Sequence, residues 1–325
     1  MTETFRTGIT VPASSFRISH HSPVLCTGSC FTGNIGGKLE TYRFPVLINP
    51  AGIQYNPASI ARTLRRTAEG TPYREEELSF ANGLWFSYDH HSSFSSPDKQ
   101  TCLENINYRL DTASGFLRRA QFLCITFGTA YAYSLRETGL TVSNCHKQPA
   151  ELFDRRFLGP EEIVELLLHL HAELSLCNPG LRYIFTVSPV RHLKDGFPEN
   201  QRSKASLLLA VHELCCRLNA EYFPSYEIVL DDLRDYRFFN EDMVHPNSTA
   251  ADYIWGHFMQ AYMDEETRTI CRELDPVLQS LAHRPFNPGS EAHRRFLAAL
   301  DEKIDVLEEK YPFLDLRQQK PAAME

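Results

Sequence analysis

Two short stretches far apart in the chain hold side chains that could share the work of acyl transfer. The first is Gly28-Ser29-Cys30, where a short apolar run meets a segment with helical spacing at Phe31, Ile35 and Leu39. A hydroxyl at a strand-to-helix turn lies beside the free N–H groups of the helix terminus. Ser29 therefore reads as a nucleophile with an oxyanion donor in its own backbone. A serine at a helix start is also an ordinary N-cap, so position alone does not make it catalytic. The second stretch is Asp242-Met243-Val244-His245. An aspartate three residues before a histidine can fold its carboxylate onto the imidazole and fix the tautomer. The other ring nitrogen is then left to take the Ser29 proton. The Asp-x-x-His spacing alone is weak, since about one is expected by chance in a chain of this length. Its place after the last predicted strand, with Pro246, Asn247 and Ser248 opening the next helix, gives it weight.

For these side chains to meet, the fold must bring both stretches to one edge. Apolar runs at residues 22–27, 45–48, 122–126, 183–187 and 226–230 read as five buried strands, and residues 57–66, 160–176 and 203–218 as helices between them. That alternation predicts a flavodoxin-like three-layer α/β/α sandwich around a five-stranded, mainly parallel sheet, with its chemistry at the carboxyl ends of the strands. Residues 67–108, rich in aromatic, Ser and His positions without steady periodicity, read as an insertion of short strands and loops, 84–88 being one strand. A short edge strand is expected at 140–144. The principal domain is expected to span residues 1–260. Residues 261–325 are expected to form a helical extension ending in a frayed tail at 320–323.

The composition narrows the classes of function. A chain of 325 residues with 42% hydrophobic residues can build a substantial core. A net charge of −8 argues against a nucleic-acid backbone as partner. No run approaches the roughly 20 apolar residues that cross a bilayer, and the first residues lack a basic and apolar leader, so no membrane association and a cytoplasmic location are expected. Nine cysteines without a Cys-x-x-Cys pair support neither a disulfide framework nor a zinc site, so no metal or other cofactor is expected. Nothing in the sequence sets the oligomeric state.

Four motifs in order, Thr27-Gly28-Ser29-Cys30-Phe31-Thr32, Asn144-Cys145-His146-Lys147, Ser188-Pro189-Val190-Arg191-His192 and Tyr222-Phe223-Pro224-Ser225-Tyr226-Glu227, resemble the GSCFA-domain proteins, a branch of the SGNH (GDSL-like) hydrolases. The fifth letter of the naming motif is Thr32 rather than Ala. The resemblance spans residues 5–258. It implies a three-layer α/β/α fold, Ser29 as nucleophile in the first block, and Asp242 with His245 in the last. The implied oxyanion donors are Ser29, Gly52 after the second strand, and a third-block Asn. At the third block Gly128-Thr129-Ala130 lacks that Asn, so Thr129, Asn144 or His146 is left to supply the donor. The activity implied is that of a serine esterase or O-acyltransferase working through an acyl-serine intermediate. Its substrate, by analogy, is a small acyl ester, acetyl for choice, on a carbohydrate or similar polar molecule. His146, Arg191 and His192 are candidate substrate contacts, and Tyr73, Trp85, Phe86 and Tyr88 offer stacking faces for a sugar ring.

Other readings compete with this one. Cys30, or Cys145 beside His146, could be a thiol nucleophile, but adjacency in sequence does not make a catalytic pair and a buried structural cysteine is commoner. His90, His91, His146 and His245 could gather a metal, yet no ligand spacing supports it. A degenerate hydrolase fold that binds carbohydrate without cleaving it is the alternative of a different class, favoured by the missing third-block Asn and opposed by the presence of both Ser29 and Asp242-x-x-His245.

Overall fold

The computed structural model describes residues 7–317; the tail expected at 320–323 lies outside them. Ten strands and nine helices are found among the described residues. The strands are β1 (Val24–Gly28), β2 (Val46–Ile48), β3 (Ser79–Ala81), β4 (Leu84–Phe86), β5 (Phe122–Phe127), β6 (Tyr131–Leu135), β7 (Thr141–Val142), β8 (Phe153–Phe157), β9 (Arg182–Val187) and β10 (Ala220–Tyr222). The helices are α1 (Thr32–Thr41), α2 (Pro57–Glu69), α3 (Lys99–Leu117), α4 (Pro160–Cys177), α5 (Gly196–Arg217), α6 (Ser225–Glu227), α7 (Ser248–Tyr262), α8 (Glu265–Ala282) and α9 (Glu291–Lys310).

Strands β10, β9, β5, β1 and β2 pair in that order into one parallel sheet. Successive side chains on a strand point to opposite faces. Leu25, Leu123 and Phe185 thus pack with Ile60 and Leu64 of α2, Leu167 of α4 and Leu207 of α5. Val24, Cys124 and Ile184 pack on the other face with Leu39 of α1 and Ile254 and Phe258 of α7. The result is a three-layer α/β/α sandwich, as the alternation of runs predicts. Local chemistry fixes the helix starts: the Asn56 side chain accepts the Ser59 N–H with Pro57 in the first turn of α2, and Asn247 does the same for Ala250 at the start of α7.

Three features depart from the expected layout. Residues 226–230 are not the fifth strand. They lie in α6 and a π-helical turn, Ile228–Leu233, that follows it, and the edge strand is β10, a few residues earlier. A short apolar run does not distinguish a buried strand from a buried helical turn, and Pro224 just before α6 starts the helical reading. Within 67–108 the hairpin β3–β4 forms, but from Lys99 the chain enters a 19-residue helix, α3. A three-stranded antiparallel sheet, β7-β6-β8, occupies the stretch between β5 and α4. After α7, helices α8 and α9 enclose a small core of their own built on Leu274, Val277, Leu300 and Ile304. The Tyr42 hydroxyl at the end of α1 donates to the Asp275 carboxylate and ties them to the sandwich.

Candidate active site

Strand β1 ends at Gly28 with φ of 136°, where an added Cβ would fall 2.1 Å from the Thr126 carbonyl oxygen of β5. Only glycine allows that approach. The Gly28 N–H donates to Asn49 Oδ1 (2.9 Å), the Ser29 N–H to the Thr126 carbonyl (3.0 Å), and the Gln54 N–H to the Gly28 carbonyl (2.9 Å). The turn is pinned from three directions. Ser29 is consequently 1% exposed, and among the described residues its hydroxyl has no hydrogen-bond partner. Cys30, one residue on, is half-buried and lines a cavity of about 670 Å³.

The histidine stands on a loop stapled at its base. Phe239 and Pro246 pair as an antiparallel bridge, and the Asn240 N–H donates to the His245 carbonyl (2.8 Å). Asp242 turns its carboxylate back: Oδ1 accepts the N–H of Val244 (2.9 Å) and of His245 (3.0 Å), and Oδ2 lies 2.7 Å from His245 Nδ1. The two backbone N–H groups, then the imidazole, hold the Asp242 pKa down to about 2. A charged carboxylate on Nδ1 keeps the proton there, so Nε2 carries the lone pair. That lone pair faces Cys30 Sγ at 3.5 Å, and the thiol donates to it.

The imidazole is thus oriented by Asp242 as the sequence reading requires, but it is not brought to the Ser29 hydroxyl. Burial pushes the Cys30 thiol pKa up, while the N–H of Phe31 at the start of α1, its own N–H and the Lys204 cation pull it down. The resting group is a thiol, with a base at hand.

The other expected site residues separate. The Gly52 N–H is spent on the Asn49 carbonyl (2.8 Å). The Thr129 N–H goes to the Tyr55 carbonyl (2.9 Å), and its hydroxyl bonds Ser203 Oγ (3.0 Å). The Ser29 N–H is engaged as well, so all three N–H groups are spent within turns of this fold. Asn144 lines the cavity; its Oδ1 accepts the His146 N–H (2.8 Å), and among the described residues its Nδ2 has no hydrogen-bond partner. His146 is a structural residue: its ring stacks on Phe86, and Nε2 donates to the Ser87 carbonyl (3.0 Å). Tyr73 and Trp85 pack with α3 in a small satellite core, and Phe86 and Tyr88 against His146, so the four aromatics expected to stack on a sugar do not line the cavity. Arg191 and His192 do line it. An added Cβ on Gly128 would meet His192 Nε2, Ser29 Cβ and the Tyr55 ring, each at 3.2 Å, which places His192 at the floor beside the β1 turn. Burial, then the charge of Lys204, lowers the His192 pKa to about 4, so it is a neutral imidazole. Among the described residues no group of three or more His, Cys, Asp or Glu is placed to hold a metal ion, and no helix is long and apolar enough to cross a membrane.

Residues 23–258, more than half of the chain, match the model of the GSCFA family. The chain belongs to the GSCFA family. Residues 274–321 match a second model, the C-terminal domain of GSCFA domain proteins, and they take in the second half of α8 and all of α9. No match is found among curated proteins.

Two residues at the site of this GSCFA chain are not among the site residues that the sequence reading selects. Lys204 on α5 is 1% exposed and donates to the Gly128 and Ser188 carbonyls at 2.6 Å each, tying the ends of β5 and β9 together beneath the cavity. No spacing rule singles out such a lysine. Cys30 stands in the sequence only as the thiol alternative to Ser29. The signal for it is the period of the strand: Leu25 and Thr27 share a face, and Ser29, next in that register, is carried into the same packed layer.

Proposed function

We propose that the site performs acyl transfer through a covalent thioester on Cys30, with His245 as general base and acid and Asp242 orienting it. The observation that carries this reading is the 3.5 Å contact between His245 Nε2 and Cys30 Sγ on the cavity wall, set against the buried, unpartnered hydroxyl of Ser29. It takes the thiol in place of the serine as the attacking atom, within the hydrolase chemistry that the resemblance implies.

Sγ loses its proton to Nε2 and attacks the ester carbonyl carbon. The tetrahedral intermediate collapses, the bond to the leaving oxygen breaks, and the imidazolium returns the proton to that oxygen. Water, or the hydroxyl of an acceptor, then gives its proton to Nε2 and displaces Sγ, which recovers a proton from the ring. The Asn144 amide is the free donor on the wall suited to the oxyanion. Tyr55 and Tyr133 line the same cavity and supply apolar faces with hydroxyl edges, which suits a small acyl group, such as acetyl, on a polar carbohydrate-like substrate.

Incubation with p-nitrophenyl acetate, an acid quench and peptide mapping test the assignment. An acetyl adduct on Cys30 that is absent from His245→Ala is expected. An adduct on Ser29, or turnover with no adduct on either residue, would exclude the thiol.

A further inference from the structure

Four charged side chains line the cavity besides the His245 imidazole, and they are unbalanced: Arg155, Arg191 and Lys194 against Asp195 alone. Arg155 and Asp195 satisfy each other at 2.6 Å, with the Arg155 guanidinium lying over the Tyr131 ring at 3.6 Å. Arg191 and Lys194 have no carboxylate partner among the described residues. Two positive charges therefore remain on the wall of the principal cavity of a chain whose net charge is −8. Arg191 is not a loose surface cation. Its guanidinium is held over the rings of Tyr236 at 5.5 Å and Phe239 at 5.3 Å and donates to the Tyr236 hydroxyl (3.2 Å). Phe239 is the residue bridged to Pro246, so this cation packs on the base of the loop that carries His245.

An arginine fixed on an aromatic bed has already lost much of its rotamer freedom, and an incoming anion need not order it. Low-dielectric walls around uncompensated charge focus the field into the cavity and concentrate anions there. Cys30 and His245 open into the same space.

We infer that the cavity selects an anionic acyl substrate, one bearing a carboxylate or phosphate group that Arg191 and Lys194 hold while the ester reaches Cys30. This rests on Cys30 being the reactive group, and the experiment separates the two. Iodoacetate and iodoacetamide alkylate the same thiol and differ by one negative charge. Their rates at Cys30 in the full chain at neutral pH are read by peptide mapping and referred to the ratio for a neutral free thiol, N-acetylcysteinamide.

The expected result is an iodoacetate preference at Cys30 about tenfold above the free-thiol ratio. It should fall severalfold in Arg191→Gln and in the exposed-site variant Lys194→Gln, and be kept in Arg191→Lys. Inorganic phosphate and succinate, each added against iodoacetamide, name the anion. Protection by phosphate alone identifies a phosphoryl group, and protection by succinate alone a carboxylate. No protection by either counts against the site. A Cys30 ratio at or below that of the free thiol overturns the anion preference and leaves the nucleophile standing. If Cys30 reacts with both reagents no faster than the exposed Cys216, the thiol reading fails and the inference fails with it.

Discussion

Replacing Ser29 and Cys30 in turn by alanine separates the two adjacent candidates, because the structure gives them opposite signatures. The Ser29 hydroxyl is buried and makes no hydrogen bond. Burying a hydroxyl without a partner costs about 1–3 kcal/mol by mutational measures. Ser29→Ala removes that cost together with one small atom, and the void left is too small to offset the gain. The variant is expected to be more stable by about 1 kcal/mol, a rise in Tm of roughly 2 °C for a domain of this size, and to keep ester turnover within a few-fold of the parent. Cys30→Ala loses the attacking atom, and turnover is expected to fall by about 10⁴ or more toward what binding alone supplies. Its stability should change little, because Cys30 is half-buried at the mouth of the turn. Thermal unfolding and hydrolysis of p-nitrophenyl acetate, measured on the same preparations, read both quantities. A Ser29→Ala variant that folds with raised Tm and is inactive, beside an active Cys30→Ala, would reverse the assignment.

Four more outcomes follow from the geometry. Asp242→Asn keeps an oxygen for the backbone N–H groups but offers an amide to Nδ1, which favours the tautomer with its proton on Nε2 facing Cys30. Turnover should drop about a hundredfold or more, while Tm in neutral buffer barely moves. Because the Asp242 pKa is depressed to about 2 from an ordinary 3.8, the loop order it provides is present above pH 4 and is lost as pH falls toward 2, which amide exchange at Val244 and His245 would follow. Burial lowers the Lys204 pKa from 10.5 to about 7, so between those values the unfolded chain holds a proton that the folded chain does not, and stability should rise with pH in that window. Lys204→Met leaves two carbonyls without a donor, at about 1–3 kcal/mol each, and should show a flatter rise between pH 7 and 9 in urea unfolding; an unchanged slope would mean that the lysine is not the titrating group. Gly28→Ala drives a methyl into the Thr126 carbonyl, and soluble expression with a native circular dichroism spectrum would contradict the packing of β1 on β5.

Much of the sheet was legible because buried parallel strands write themselves as continuous apolar runs, as in residues 122–126 and 183–187. The edge strand was not. Three residues, Ala-Glu-Tyr, leave no period to read, and the stronger apolar run just after them folds as a helical turn. Helix α3 was hidden for another reason: Asn105, Asn107, Ser114 and Gly115 are weak helix formers set among the buried positions Cys102, Ile106, Leu110 and Ala113. The base was legible because Asp242 and His245 interact within one turn of loop, a local matter that spacing can carry. The proposed attacking atom was not. Which of two neighbouring side chains enters the cavity depends on the angle at which β1 leaves the sheet at Gly28, and that angle is set by the contact with β5, nearly a hundred residues away in the chain.

The cavity has two kinds of wall, and they answer to different forces. Cys30 and His192 stand on the parallel sandwich and its loops, whereas Tyr131, Tyr133, Phe153 and Arg155 come from β6 and β8 of the separate antiparallel sheet, which has its own ladder of backbone pairs. Side chains on that sheet can be exchanged without touching the strand register that fixes the reactive thiol. The apolar part of the pocket is therefore open to redesign on its own: an engineer could recut Tyr133 and Phe153 on the β6–β8 panel while the Cys30 turn and Arg191, which packs on the His245 loop, keep their geometry, much as a lock's pins are recut without moving its bolt.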